Sequence, residues 1–327
     1  MHDLAATYHF ADFTRDAYHG LILAAQKNYP FVFYDDFMGR ERFVLWRHDV
    51  DMSMHAALAL ARIEAEAGVK ATYFLLPGSA FYNLLEPEIS GITREIMSLG
   101  HEIGLHFDAT AHTLAGPEDL SRKLAHARRF MEDYCEAPVT AFSFHNPDAA
   151  VAGFRDLHYA GMVNAYAACF RDAIAYGSDS NGIWRHRRLA DLLAEAPPQL
   201  QVLTHPEWWT ASPAAPRWKV FDCIEGRARR VLSDYNRLLR AGDRVNIMEL
   251  AAEFDALDEV LGAAALPIQM HWLRGDAVAA VRCLAQICAL RLGPADPRLK
   301  KYEALVALTA TAEDIQYLAA LVLEVSR

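Results

Sequence analysis

Between Phe43 and Thr204 the chain alternates short apolar runs with helical stretches, and this alternation leaves few folds open. Phe43-Val44-Leu45-Trp46 reads as a buried strand that runs into Arg47-His48-Asp49-Val50-Asp51. A helix from about Ser53 to Ala67 follows, closed by Gly68, and then the β-branched and aromatic run Ala71-Thr72-Tyr73-Phe74-Leu75-Leu76, stopped by Pro77-Gly78. The same pattern predicts a helix around Ile89–Leu99, a strand at His101–Leu105, a helix around Glu118–Tyr134, and strands at Ala141–Phe144 and Leu200–Leu203. Upstream, Thr14 reads as the N-cap of a helix reaching Gln26, and a short strand is expected around Phe31–Phe33. Strand–helix alternation of this kind implies a mostly parallel sheet, open or closed into a barrel.

In such sheets chemistry gathers at the carboxyl ends of the strands. Four of those ends carry a histidine: His48-Asp49-Val50-Asp51, His106-Phe107-Asp108, His145-Asn146-Pro147 and His205-Pro206-Glu207. Taken singly, an aspartate there caps the next helix and a histidine satisfies a carbonyl. Taken together, strand ends of one sheet face converge on a single cleft. Carboxylate oxygen and imidazole nitrogen are the donors a catalytic zinc-like ion takes, three from the protein with one position left for water. A further carboxylate could act as general base and a histidine opposite as general acid, so metal-assisted hydrolysis is the expected reaction class.

Several motifs in order, Asp49-x-Asp51, Gly68-Val-Lys-Ala-Thr-Tyr-Phe-Leu75, Gly100-His-Glu-Ile-Gly-Leu-His106, Phe144-His145-Asn146-Pro147 and Leu203-Thr204-His205, resemble the polysaccharide deacetylase family, the NodB-homology or carbohydrate esterase 4 fold. Arg47-His48-Asp49-Val50-Asp51 is similar to the branch found in bacterial O-antigen and capsule biosynthesis. The resemblance covers about residues 10–210. It implies a distorted (β/α) barrel of about seven strands and a divalent metal, usually zinc, with nickel, cobalt and iron as alternatives. It also implies hydrolysis of an N-acetyl group from a sugar, nucleotide- or lipid-linked. By resemblance Asp49 is the base, Asp51 and His106 are metal ligands, His205 is the acid on the leaving amine, Asp179 orients His205, and Trp184 walls the acetyl pocket. The family writes its two aspartates adjacent, whereas Val50 separates them here, so either could take either role.

The family places its second metal histidine four residues after the first, where this chain has Thr110; His145, and alternatively His112, is the expected third ligand. His48, Asp108, Arg185 and Trp208 are expected to line the substrate, with Trp208 and Trp209 a candidate sugar platform and Arg185 to Arg188 a candidate diphosphate site. A non-hydrolytic, carbohydrate-binding member of the same fold that lost its metal at Thr110 is the alternative.

Beyond Ser212-Pro213 the texture turns helical, with helices expected at Arg217–Arg240, Val245–Leu261, Pro267–Leu290, Leu299–Leu308 and Thr311–Val325. A boundary at 212/213 would divide a barrel from a helical domain that packs, covers the barrel mouth or dimerises. Val278, Val281, Leu284, Ala285, Cys288 and Leu292 form an apolar helix face suited to packing. Residues 1–210 hold 17 Lys+Arg against 27 Asp+Glu and thirteen of the fourteen histidines; the rest is balanced at 15 and 15. The net charge of -10 therefore sits with the candidate site, which disfavours nucleic acid and suits a cation. Five scattered cysteines without a Cys-x-x-Cys pair fit reduced thiols. No apolar run approaches a membrane span, and Met1-His2-Asp3-Leu4 lacks the features of a secretory signal, so a cytoplasmic protein of open oligomeric state is expected.

Overall fold

The alternation becomes one sheet in the computed structural model, which describes residues 4–244, 257, 260–261, 264–293, 295–303 and 310–325. Contacts divide the chain into Met1–Cys223 and Ile224–Arg327, a division that falls inside a helix.

In the first unit, α1 (Arg15–Gln26) starts at Thr14, whose hydroxyl accepts from Ala17 N–H. Then come β1 (Phe43–Val50), α2 (Met54–Glu66), β2 (Thr72–Leu75), α3 (Pro87–Ser98), β3 (Glu102–Phe107), α4 (Pro117–Cys135) and β4 (Ala141–Phe144). A short hairpin, β5 (His158–Tyr159) and β6 (Met162–Asn164), precedes α5 (Ala168–Ala173), β7 (Ala175–Ser178), α6 (Leu189–Glu195) and β8 (Gln199–Thr204). The expected strand at Phe31–Phe33 is reduced to one bridge between Phe31 and Val44.

The eight strands order as β5-β6-β4-β3-β2-β1-β8-β7, parallel except for the β5–β6 hairpin. The sheet curls. In a flat sheet β6 and β8, five steps apart, would lie about 24 Å from each other, yet Gln201 Nε2 on β8 donates to Ala165 O just beyond β6 at 3.3 Å. Among the described residues no ladder joins β5 to β7, so the expected barrel of about seven strands is instead an open, curled sheet of eight. The β5–β6 hairpin turns back through Ala160 and Gly161, both at positive φ, and so occupies the edge where a crossing strand would have continued toward closure.

Period-two alternation along β1 decides what faces the hollow. Phe43 and Leu45 pack inside with Phe74, Ala141, Val163 and Phe170. Val44, Trp46 and Val50 pack outward in the larger core beneath the helices. Arg47 and Asp49 share the inner side.

The helix α7 (Pro216–Ala241) runs across the division. In the second unit the predicted helix Pro267–Leu290 is two, α8 (Ala265–Leu273) and α9 (Ala277–Leu292): Gly275 takes a positive φ after the first, and the Asp276 carboxylate caps the second on Ala279 N–H. Val281, Leu284 and Cys288 of α9 are buried with Ile268 and with Ile315, Leu318 and Val322 of α10 (Ala312–Glu324), so that face packs within the helical unit. Thr311 and Asp314 close a capping box at the start of α10. The predicted helix Val245–Leu261 falls mostly outside the described residues, as does Leu299–Leu308 beyond 303. No described helix is long and apolar enough to cross a membrane, and all five cysteines are free.

Candidate metal centre

The carboxyl ends of β1, β3 and β4 bring Asp51, His106 and His145 together. One carboxylate oxygen and two imidazole nitrogens lie within 4.8 Å of one another. His106 Nε2 is 3.1 Å from Asp51 Oδ1, and His145 Nδ1 is 3.3 Å from the same oxygen and from His106 Nε2. The far side of His106 is fixed: Nδ1 lies 3.3 Å from Ser143 O, and an N–H donated there leaves the Nε2 lone pair facing the cluster. His145 is held through Nε2 by the Asn146 side chain at 2.9 Å. Burial opposes the charge of Asp51, but the two imidazoles prevail and hold its carboxyl well below the usual range; Asp51 in turn raises His145.

The residues fit a divalent cation. Asp51 Oδ1 is buried and has no hydrogen-bond partner, its two histidine neighbours lying off the line a hydrogen bond requires. A mixed carboxylate–imidazole set of three is the donor pattern of a catalytic site with an open position.

Asp49 lies beside this trio, its Oδ2 3.9 Å from His106 Nε2. Ser143 Oγ donates to Oδ2 at 2.9 Å and Arg47 Nη2 at 3.4 Å, while Oδ1 is buried without a partner. Arg47 is wholly buried on the same face, its guanidinium 4.8 Å from the Tyr166 ring centre. Across the cleft, His205 follows β8. Asp179, itself fully buried, accepts from the His205 backbone N–H, from Nδ1 at 2.7 Å, and from Trp209 Nε1 at 3.0 Å. Burial disfavours a cationic His205, but the Asp179 carboxylate outweighs it and raises the imidazole pKa to about 10. With Nδ1 engaged, Nε2 is the nitrogen left for the cleft. Two residues along the same turn, Glu207 is buried with both carboxylate oxygens unpartnered, and burial pushes its pKa up to about 8.

These groups share one cleft of about 800 Å³, lined by Asp49, Asp51, His106, His145 and His205 and, around them, Asp108, Tyr166, Tyr176, Arg185, Leu203 and Trp208. Several sequence-predicted residues are not brought there: Trp209 is buried and donates to Asp179, Arg187 pairs with Glu195, and Arg188 pairs with Asp12. His48 alternates to the other face of β1, where Nε2 meets Glu64 at 2.6 Å and Nδ1 meets Thr204 Oγ1 at 2.7 Å. Trp184 donates to Asp12 and stacks on Phe13, leaving the wall of the cleft to Trp208. His112 stacks on Phe107 at 5.2 Å. Phe107 points to the opposite side of β3 from His106, so His112 is carried away from the trio. Thr110 instead bonds back to Asp108 Oδ1 through both its N–H and its hydroxyl.

Sequence reasoning missed Arg47, Ser143, Glu207 and the Glu64 cluster. The signal for Arg47 was available, since its i, i+2 spacing to Asp49 sets both on one strand face. Ser143 has the same relation to His145. Glu64 lies in a helical run and carries no such mark.

No family model matches the chain, and no curated protein matches it. Among solved structures it is similar to the Xyl-CE4 domain of a multidomain xylanase from the hindgut metagenome of Trinervitermes trinervoides, at 14% identity over 58% of this chain and 84% of that one, TM-score 0.35. It is also similar to a family 4 acetyl xylan esterase from Clostridium thermocellum in complex with a cobalt ion (16%, 57% and 83%, TM-score 0.31) and to a CE4 family pseudoenzyme from Bacillus anthracis (16%, 57% and 62%, TM-score 0.33).

Proposed function

We propose that this chain is a metal-dependent hydrolase that removes an N-acetyl group from a nucleotide- or lipid-linked sugar in bacterial surface-polysaccharide assembly. The observation that carries the reading is the convergence of Asp51, His106 and His145 between a carboxylate and an acid-held imidazole. The order of motifs from Asp49 to His205 supplies the sugar amide as substrate class. Asp51, His106 and His145 would hold the ion, which when bound supplies Lewis-acid polarisation of the acyl oxygen and a more acidic water.

The remaining chemistry belongs to side chains. Asp49 Oδ1, free of partners while Ser143 and Arg47 occupy Oδ2, accepts the proton of the water that adds to the amide carbon. His205, cationic through Asp179, donates a proton from Nε2 to the amide nitrogen as the C–N bond breaks, because an unprotonated amide nitrogen is a poor leaving group. The products are acetate and a free amine. Trp208 and Leu203 wall the acyl side, and the exposed Arg185 offers an anionic carrier one cationic contact.

Acetate release from a panel of nucleotide-linked N-acetyl sugars, with zinc, cobalt, nickel or iron added, tests this reading. Release from at least one sugar, abolished by chelation, is expected; no release with any metal contradicts it.

A further inference from the structure

We propose that α7 joins two copies of this chain as an antiparallel helix pair through an apolar seam on its exposed side. Phe221, Ile224, Ala228, Val231, Tyr235 and Leu238 follow one another at intervals of three, four, three, four and three, the a and d positions of a heptad repeat. All six are exposed, Leu238 to 65% and Phe221, Ile224, Val231 and Tyr235 to about half. Between them Glu225, Arg229, Leu232, Asn236 and Leu239 are buried or half-buried, so the heptad seam is the side of the helix that faces solvent. Trp218 stacks on Phe221 and extends the patch by one turn.

A monomer rarely leaves a contiguous apolar patch of this kind open. Half of each large side chain is about 100 Å²; six of them, Trp218 included, give about 600 Å² per copy and about 1,200 Å² for a pair, the lower bound of a stable interface.

The seam fits a second copy of itself. With a two-fold axis between Ala228 and Val231, Phe221 lies opposite Leu238, Ile224 opposite Tyr235, and Ala228 opposite Val231, so every layer sets an a position against a d position. Parallel pairing would set Ala228 against Ala228, a layer with no large side chain to fill it, and would align both helix dipoles.

The test uses the full chain and does not depend on the proposed activity. Sedimentation equilibrium is expected to give a dimer at tens of micromolar. Val231→Glu, an exposed change, is expected to weaken dimerisation at least tenfold with unchanged circular dichroism. Mild oxidation of the double variant Phe221→Cys/Leu238→Cys should yield a covalent dimer above the wild-type background, and Phe221→Cys alone should not. A wild-type monomer at every concentration, a dimer indifferent to Val231→Glu, or cross-linking by Phe221→Cys alone overturns the proposal. Should Val231→Glu fail to fold, the cysteine pair still decides it.

Discussion

Asp179 sets the charge of His205, and that single contact gives the cleft an acid at neutral pH. Replacing it by Asn should return the imidazole pKa from about 10 toward the unperturbed value of about 6.5, which a nitrogen-15 NMR titration of the metal-free protein reads directly. The folded pKa lies above the unfolded one. The ion pair therefore contributes its full stability below about pH 6.5 and loses it as pH rises through 10. Glu207 has the same sign, although burial and not an ion pair raises its pKa. Its carboxyl, pushed up to about 8, stays protonated in the fold where an unfolded chain has already ionised at about pH 4.3, so stability falls as pH rises between those values. Glu207→Gln is expected to raise Tm at pH 9 and leave it unchanged at pH 4; an equal Tm at both would contradict the buried, unpaired state. Asp49→Asn should lower acetate release by about 10²–10⁴-fold while metal content is kept. His205 and Asp51 were legible because strand ends announce themselves in sequence. Glu207 was not, since nothing in Pro-Glu-Trp shows that both its oxygens lack partners.

β1 separates chemistry from architecture by alternation alone. Arg47 and Asp49 face the hollow, while Trp46 and His48 face α1 and α2, where Glu64 gathers hydrogen bonds from Tyr18, Tyr73 and His48, and Trp46 Nε1 reaches the Tyr18 hydroxyl. Burial opposes the charge of Glu64, and His48 beside it prevails, holding the carboxyl low. Removing one partner of such a buried pair strands the other, so His48→Ala is expected to cost about 3–5 kcal/mol of stability in denaturant unfolding. The kcat of the folded fraction should change little; a large loss of kcat with normal stability would return His48 to the cleft. The strands and helices from β1 to β4 follow from periodicity, since each has its own apolar pattern and stop signal. The segment from β5 to β7 does not. Its strands are two to four residues long, too short to show a period, and are fixed by partners distant in sequence. The break at Gly275 was written in the sequence as Gly-Asp, a helix stop followed by a cap, within a run whose apolar pattern continued through it.

At the scale of the molecule, the acidic balance and thirteen of the fourteen histidines belong to the part that carries the curled sheet. The fold draws a few of them into one cleft and leaves His112 outside it, a distinction that depends on the turn at Ala109–Ala111 and not on spacing. A cation at Asp51, His106 and His145 must displace the proton that Asp51 favours on His145, so its affinity should fall from pH 8 to pH 5, with proton release on binding measurable by calorimetry in two buffers. The most direct test of the whole account is the metal content of the purified chain, measured by mass spectrometry after exposure to zinc, cobalt, nickel or iron. About one ion per chain is expected, lost in His106→Ala and in Asp51→Ala but kept in His112→Ala. A wild-type chain that takes up no metal, or a His106→Ala chain that keeps it, would contradict the metal centre and the hydrolase built on it.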